Sequence, residues 1–86
     1  MASNQELINA LQNIKSSSTE LSAMAAKASG SLKTQAGHIV ALTKPSQSGQ
    51  MAAMAVGVAA NSLAQAAASM KSLSGSCEKF INNILK

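Results

Sequence analysis

Few side chains in this chain could do chemistry. His38 is the only histidine and Cys77 the only cysteine, and the carboxylates are Glu6, Glu20 and Glu78. A Cys–His pair can generate a thiolate nucleophile, provided the two side chains meet. Here they are kept apart. The only proline, Pro45, breaks the chain near its middle, with His38 shortly before the break and Cys77 far beyond it. If the chain folds back at Pro45, the two lie at different heights along the arms. One histidine and one cysteine, with no carboxylate at ligand spacing, cannot assemble a zinc or iron–sulfur site. A lone cysteine also excludes a disulfide scaffold. Beside Leu73 and Phe80 it reads as a small buried hydrophobe. The glutamates are dispersed, so no carboxylate pair is available for acid–base work. The glycines form no phosphate-binding loop. The expectation is a protein without catalytic residues, metal ligands or a cofactor.

The elements that carry these residues follow from composition and spacing. Hydrophobic residues make up 47% of the 86 residues, yet Phe80 is the only aromatic one. The apolar content is mostly Ala, which cannot fill a thick core but lets helices approach closely. The seven cationic residues are all Lys and are scattered, giving a net charge of +4. Nucleic-acid binders cluster their basic groups and interleave Arg or aromatics, so no nucleic-acid partner is expected. The start, Met1-Ala2-Ser3-Asn4-Gln5-Glu6, is polar and acidic, unlike a secretory leader. Any export is therefore expected to proceed without a cleaved signal. The longest apolar run, Met51 to Ala60, is shorter than the roughly 20 residues of a membrane span, so stable membrane insertion is not expected.

The break at Thr43-Lys44-Pro45-Ser46-Gln47-Ser48-Gly49 divides the chain into two similar halves. Pro45 disfavours helix at Lys44 and removes a backbone donor, while Ser46, Ser48 and Gly49 supply turn and cap chemistry. The first half steps by four and three through Leu7, Leu11, Ile14, Ser18, Leu21, Ala25, Ala28, Leu32, Gln35, Ile39 and Leu42. The second steps through Ala52, Val56, Ala59, Leu63, Ala66, Met70, Leu73, Cys77, Phe80 and Ile84. Both are helical seams, and no period-two pattern supports a strand. The spacing predicts a single all-α domain over 1–86: helix 1 over about 4–42, a turn at 43–49, and helix 2 over about 50–85. Helix 1 starts at Ser3 or Asn4, with Glu6 in its first turn. Folded together, these make an antiparallel hairpin with arms roughly 55 Å long. Gly30 and Gly75, inside the arms, are candidate bends. Burial of one Ala-rich stripe per arm yields little, so a partner is expected: a second copy, a helical bundle with another protein, or a filament. The residues expected to take it are the stripe of Met51, Met54, Val58, Ile81 and Leu85 beside the seam.

The pattern resembles the WXG-type superfamily, the small helical-hairpin proteins of bacterial type VII secretion. The resemblance is closest to the subgroup of small effector-type and LXG-associated α-helical proteins that lack the Trp. Gln47-Ser48-Gly49 occupies the place of Trp-x-Gly in the turn, and Phe80-Ile81-Asn82-Asn83-Ile84 that of a C-terminal Phe-x-x-x-Asp motif, with Ile84 where the Asp would be. The resemblance implies a protein that binds the helical N-terminal domain of a larger secreted LXG-type toxin. Its role would be that of a targeting factor, a secretion chaperone or a co-exported partner, made in the bacterial cytoplasm and then secreted. Through this resemblance Phe80 and its neighbours, Ile84 among them, would form part of the recognition surface. Lys44-Pro45-Ser46 also looks like the turn of type III secretion needle subunits. That alternative implies polymerisation into a helical filament through the C-terminal helix.

Overall fold

The computed structural model describes residues 3–85, so Met1, Ala2 and Lys86, the ends of the expected domain, lie outside the described residues. Two helices account for nearly all of it: α1, Asn4–Thr43, and α2, Gln47–Leu85. They pack on each other along their whole length as an all-α hairpin measuring 62 × 20 × 13 Å.

Local chemistry sets the ends. Ser3 is extended and its Oγ accepts a hydrogen bond from the Glu6 backbone N–H at 3.1 Å, satisfying a donor that the first turn leaves orphaned. Glu6 adds a negative charge where the helix dipole favours one. At the other end Lys44 is extended, as the residue before a proline must be. The Lys44–Pro45 peptide is cis. Ser46 then caps α2: its Oγ accepts from the Gly49 N–H at 3.1 Å and its carbonyl from the Gln50 N–H at 3.2 Å. The turn is therefore 44–46, shorter than the expected 43–49, because the Ser46 cap lets the helix begin at once. Pro45 lies in the turn itself, and Ser48 and Gly49 belong to the first turn of α2. Gly49 is buried there, and a Cβ on it would fall on the Thr43 side chain. Both helices run unbroken through Gly30 and Gly75, which corrects the expectation of bends.

The seam is made of small residues. On α1 the inward positions are Ile8, Leu11, Lys15, Ser18, Ser22, Ala25, Ser29, Leu32, Ala36, Ile39 and Thr43, all buried or half-buried. On α2 they are Gly49, Ala53, Val56, Ala60, Leu63, Ala67, Met70, Ser74, Cys77, Ile81 and Ile84. Half of each expected seam is correct: Leu11, Ser18, Ala25, Leu32 and Ile39 face Val56, Leu63, Met70, Cys77 and Ile84. The other half is displaced by one residue. Leu7, Ile14, Leu21 and Leu42 on α1, and Leu73 and Phe80 on α2, are exposed, and their immediate successors turn inward.

The reason is how closely the axes approach. Ala60 is completely buried, and among the described residues no larger side chain is. Ser29 Oγ donates to the Ala60 carbonyl across the seam at 2.7 Å, and Ser22 Oγ to the Ala67 carbonyl at 2.8 Å. A side chain as short as serine reaches the opposite backbone only where the axes lie near the lower end of the usual ~8–10 Å. Leucine at the same positions would force them apart. The hydroxyls also satisfy themselves against carbonyl oxygens that retain a free lone pair, so their burial carries no desolvation penalty. The spacing on both helices is a strict four–three alternation. Counting outward from the Thr43–Gly49 contact in steps of seven sets Lys15 level with Cys77, and three residues nearer the turn Ser18 level with Ser74. Neighbouring contacts agree: Thr19 Oγ1 meets Ser74 Oγ at 3.0 Å, and Lys15 Nζ lies 3.7 Å from a Glu78 carboxylate oxygen.

Candidate helix-docking face

The seam divides the hairpin into two unlike sides. On one runs a shallow groove lined by Thr19, Ser22, Ala23 and Ala26 of α1 and by Ala67, Ala68, Lys71, Ser74, Gly75 and Glu78 of α2. The Lys15–Glu78 pair lies on this side, with both side chains well exposed, where an ion pair contributes at most about 1 kcal/mol.

The other side carries the residue preceding every second seam position: those before Ile8, Lys15, Ser22 and Ser29 on α1 and before Ala60, Ala67, Ser74 and Ile81 on α2 among them. Toward the end away from the turn these are Leu7, Ile14 and Leu21 of α1 and Leu73 and Phe80 of α2, each between 38% and 52% exposed. With the level pairs above, Leu7 and Ile14 lie nearest Phe80, and Ile14 and Leu21 nearest Leu73. The five form one apolar row that spans both helices. Met24 extends it outward. Toward the turn the same rows continue as Ala28 and Gln35 on α1, and as Ala52, Ala59 and Ala66 on α2.

Among the described residues no helical lysine or glutamate falls on this side. Glu6, Glu20, Lys27 and Lys79 occupy the backs of the helices, nearly opposite the seam, Lys33, Lys71 and Glu78 the groove side, and Lys44 the turn. Lys15 lies in the seam itself. A monomer seldom leaves a contiguous row of large apolar residues open without a use, and such rows mark interaction surfaces. A helix laid along this side would meet apolar knobs at a seven-residue step.

The residues expected to take a partner do not fall together. Phe80 lies on the apolar row. Ile81, one residue on, is 7% exposed and belongs to the seam, and Ile84 is half-buried beside α1. Leu85 is exposed on the groove side. Met51, Met54 and Val58 are exposed together near the turn, on the outer surface of α2. The expected stripe does not join them to Ile81, because the helix between Val58 and Ile81 carries the two faces more than a right angle apart. Leu7, Ile14, Leu21 and Leu73 are the interaction candidates that sequence reasoning assigned to the core instead. The signal that could have separated them was present: Ala53, Ala60, Ala67 and Ser74 form a small-residue ladder at seven-residue spacing, matched by Ser22, Ser29 and Ala36.

His38 is exposed toward the turn, whereas Cys77 is buried toward the open end and is a free thiol. Among the described residues no three His, Cys, Asp or Glu side chains converge on a possible metal site. By length and composition alone, α2 is long and apolar enough to cross a membrane. The expectation drawn from Met51–Ala60 counts only an unbroken apolar run, whereas length and composition average over a longer stretch of the helix. Comparison of the chain with protein-family models, curated proteins and solved structures finds no match.

Proposed function

We propose that this hairpin works by binding helices, as a small type VII secretion-associated protein. Its partner would be the helical N-terminal domain of a larger secreted toxin, with the hairpin as targeting factor or co-exported companion. The observation that carries the reading is the row Leu7, Ile14, Leu21, Leu73 and Phe80, left open on an uncharged side while the hairpin closes on alanine and serine. A protein evolved to stand alone would turn such residues inward. Here the most apolar edges of both helices are displayed together, at the spacing a helical partner requires. The resemblance to WXG-type hairpins adds the secretion context. Phe80, which stands in for the Phe of the C-terminal motif, lies on the displayed row.

The test is co-expression with a larger protein that has a helical amino-terminal domain and is encoded beside this one. The reading expects a stable 1:1 complex by size-exclusion chromatography with light scattering. A hairpin that elutes alone at micromolar concentration contradicts it. The needle-type alternative draws on the same row, since a rod 62 Å long with an apolar side can also pack against its own copies. It predicts fibres that grow with protein concentration, where the favoured reading predicts none.

A further inference from the structure

We infer that the two helices counter-rotate, so that the hairpin alternates between the observed seam and a second seam one residue over. This concerns the hairpin alone and stands whatever partner the open side takes. Each helix carries two inward-capable rows that share one set of residues, among them Ser18 on α1 and Cys77 on α2. In the observed seam the shared row is completed by Ile8, Lys15, Ser22 and Ser29 on α1 and by Ala60, Ala67, Ser74 and Ile81 on α2, small residues in the middle of the arms and larger ones toward the open end. In the second it is completed by their predecessors, which include Leu7, Ile14, Leu21, Leu73 and Phe80. Moving from one to the other requires each helix to turn about its own axis by about 50°, half the angular step per residue. The exposed rows lie on the same side of the hairpin, so the helices turn in opposite senses, like meshed gears.

Opposed interactions hold the two arrangements. The observed seam keeps the serine hydroxyls of Ser22 and Ser29 on opposite carbonyls and buries Ile8 and Ile81. The second gives up those bonds and buries five large side chains that are now half exposed. Toward the open end the second seam would pack large residues, while toward the turn both seams are lined mostly by small ones such as Ala28, Ala52, Ala59 and Ala66. Packed interfaces of this kind switch between discrete arrangements rather than deform continuously. Only the observed arrangement displays the apolar row, so rotation alone would cover or uncover it. A partner that binds the row would then draw the population toward the observed seam.

Disulfide trapping tests this, because the bond forms only when the Cα atoms come within about 7 Å. Cys77 is native and lies in the shared row. Lys15 is level with it in the observed seam, and Ile14 would take that place after rotation. The variants Lys15→Cys and Ile14→Cys are oxidised separately at low protein concentration, and intramolecular bond formation is followed by non-reducing mobility and mass. A second pair guards against a variant that fails to fold: in Cys77→Ala protein, Ser18→Cys is combined with Ser74→Cys for the observed seam or with Leu73→Cys for the rotated one. The inference expects both members of each pair to close, the rotated one at no less than about a tenth of the observed rate. Closure of only the Lys15→Cys and Ser74→Cys variants means a fixed seam and overturns it. Closure of only the Ile14→Cys and Leu73→Cys variants also overturns it, since the hairpin would then have a single, different seam.

Discussion

Leu21 and Ser22 are neighbours in the chain, yet they lie on the two contrasting surfaces of this molecule. Ser22 turns inward and places its hydroxyl on the backbone of the other helix, while Leu21 turns out beside Leu73. The same inversion repeats at Ile14 and Lys15 and at Phe80 and Ile81. At Leu21–Ser22 and Leu73–Ser74 the seam takes the smaller residue and the open side the larger, whereas around Ser29 and Ala60 both rows are small. Hydrophobicity alone would make the opposite choice. Close approach decides in favour of small residues, because backbone-to-backbone proximity gains serine hydrogen bonds and dense packing along the whole arm.

The comparison is easiest to break at Ala60, which is completely buried. Ala60→Leu should cost about 3 kcal/mol through overpacking and lower the thermal midpoint seen by circular dichroism. Ala59→Leu, one residue away on the open side, should change stability by less than about 0.5 kcal/mol. Equal effects would mean that the two surfaces are not distinct. Next in size is a contrast between glycines. Gly49→Ala places a methyl on Thr43 and should destabilise by about 1–3 kcal/mol. Gly37→Ala meets open space and should stabilise by about 1 kcal/mol in denaturant titration, since alanine is the better helix former. Ser29→Ala removes the 2.7 Å bond to the Ala60 carbonyl and should cost about 1 kcal/mol, where Ser31→Ala, exposed, should cost almost nothing. Smallest of all is the ion pair on the groove side: Glu78→Gln should move stability by less than about 0.5 kcal/mol, and less still at high salt.

Much of the architecture was legible in the residues. Pro45 marks the reversal, Ser3 and Glu6 mark the start of α1, and the shared seam row from Leu11 to Ile39 and from Val56 to Ile84 follows from spacing. The choice between the two flanking rows was not legible by ranking apolarity, because the larger residues score higher wherever they point. Reading the small-residue ladder from Ala53 to Ser74 as a condition for close approach would have reversed that choice. The open apolar row was hidden by the same step: Leu7, Ile14, Leu21 and Leu73 counted as core, so of its members only Phe80 stood among the expected contacts. Cys77 was readable as a buried hydrophobe because the shared row passes through it. Continuity through Gly30 and Gly75 was not, since packing against the opposite arm offsets what two glycines cost in a free helix.

The measurement that bears most directly on the open side as the functional surface compares two variants in the co-expressed complex with the larger secreted protein. Leu73→Glu combined with Phe80→Glu puts charge on the apolar row, while Met51→Glu combined with Val58→Glu puts it on the outer surface of α2. Both variants should keep the helical content of the native chain. The first should lose the partner by at least about a hundredfold in affinity, and the second should bind as the native chain does. Retention of the partner by the first variant and its loss by the second would contradict the account.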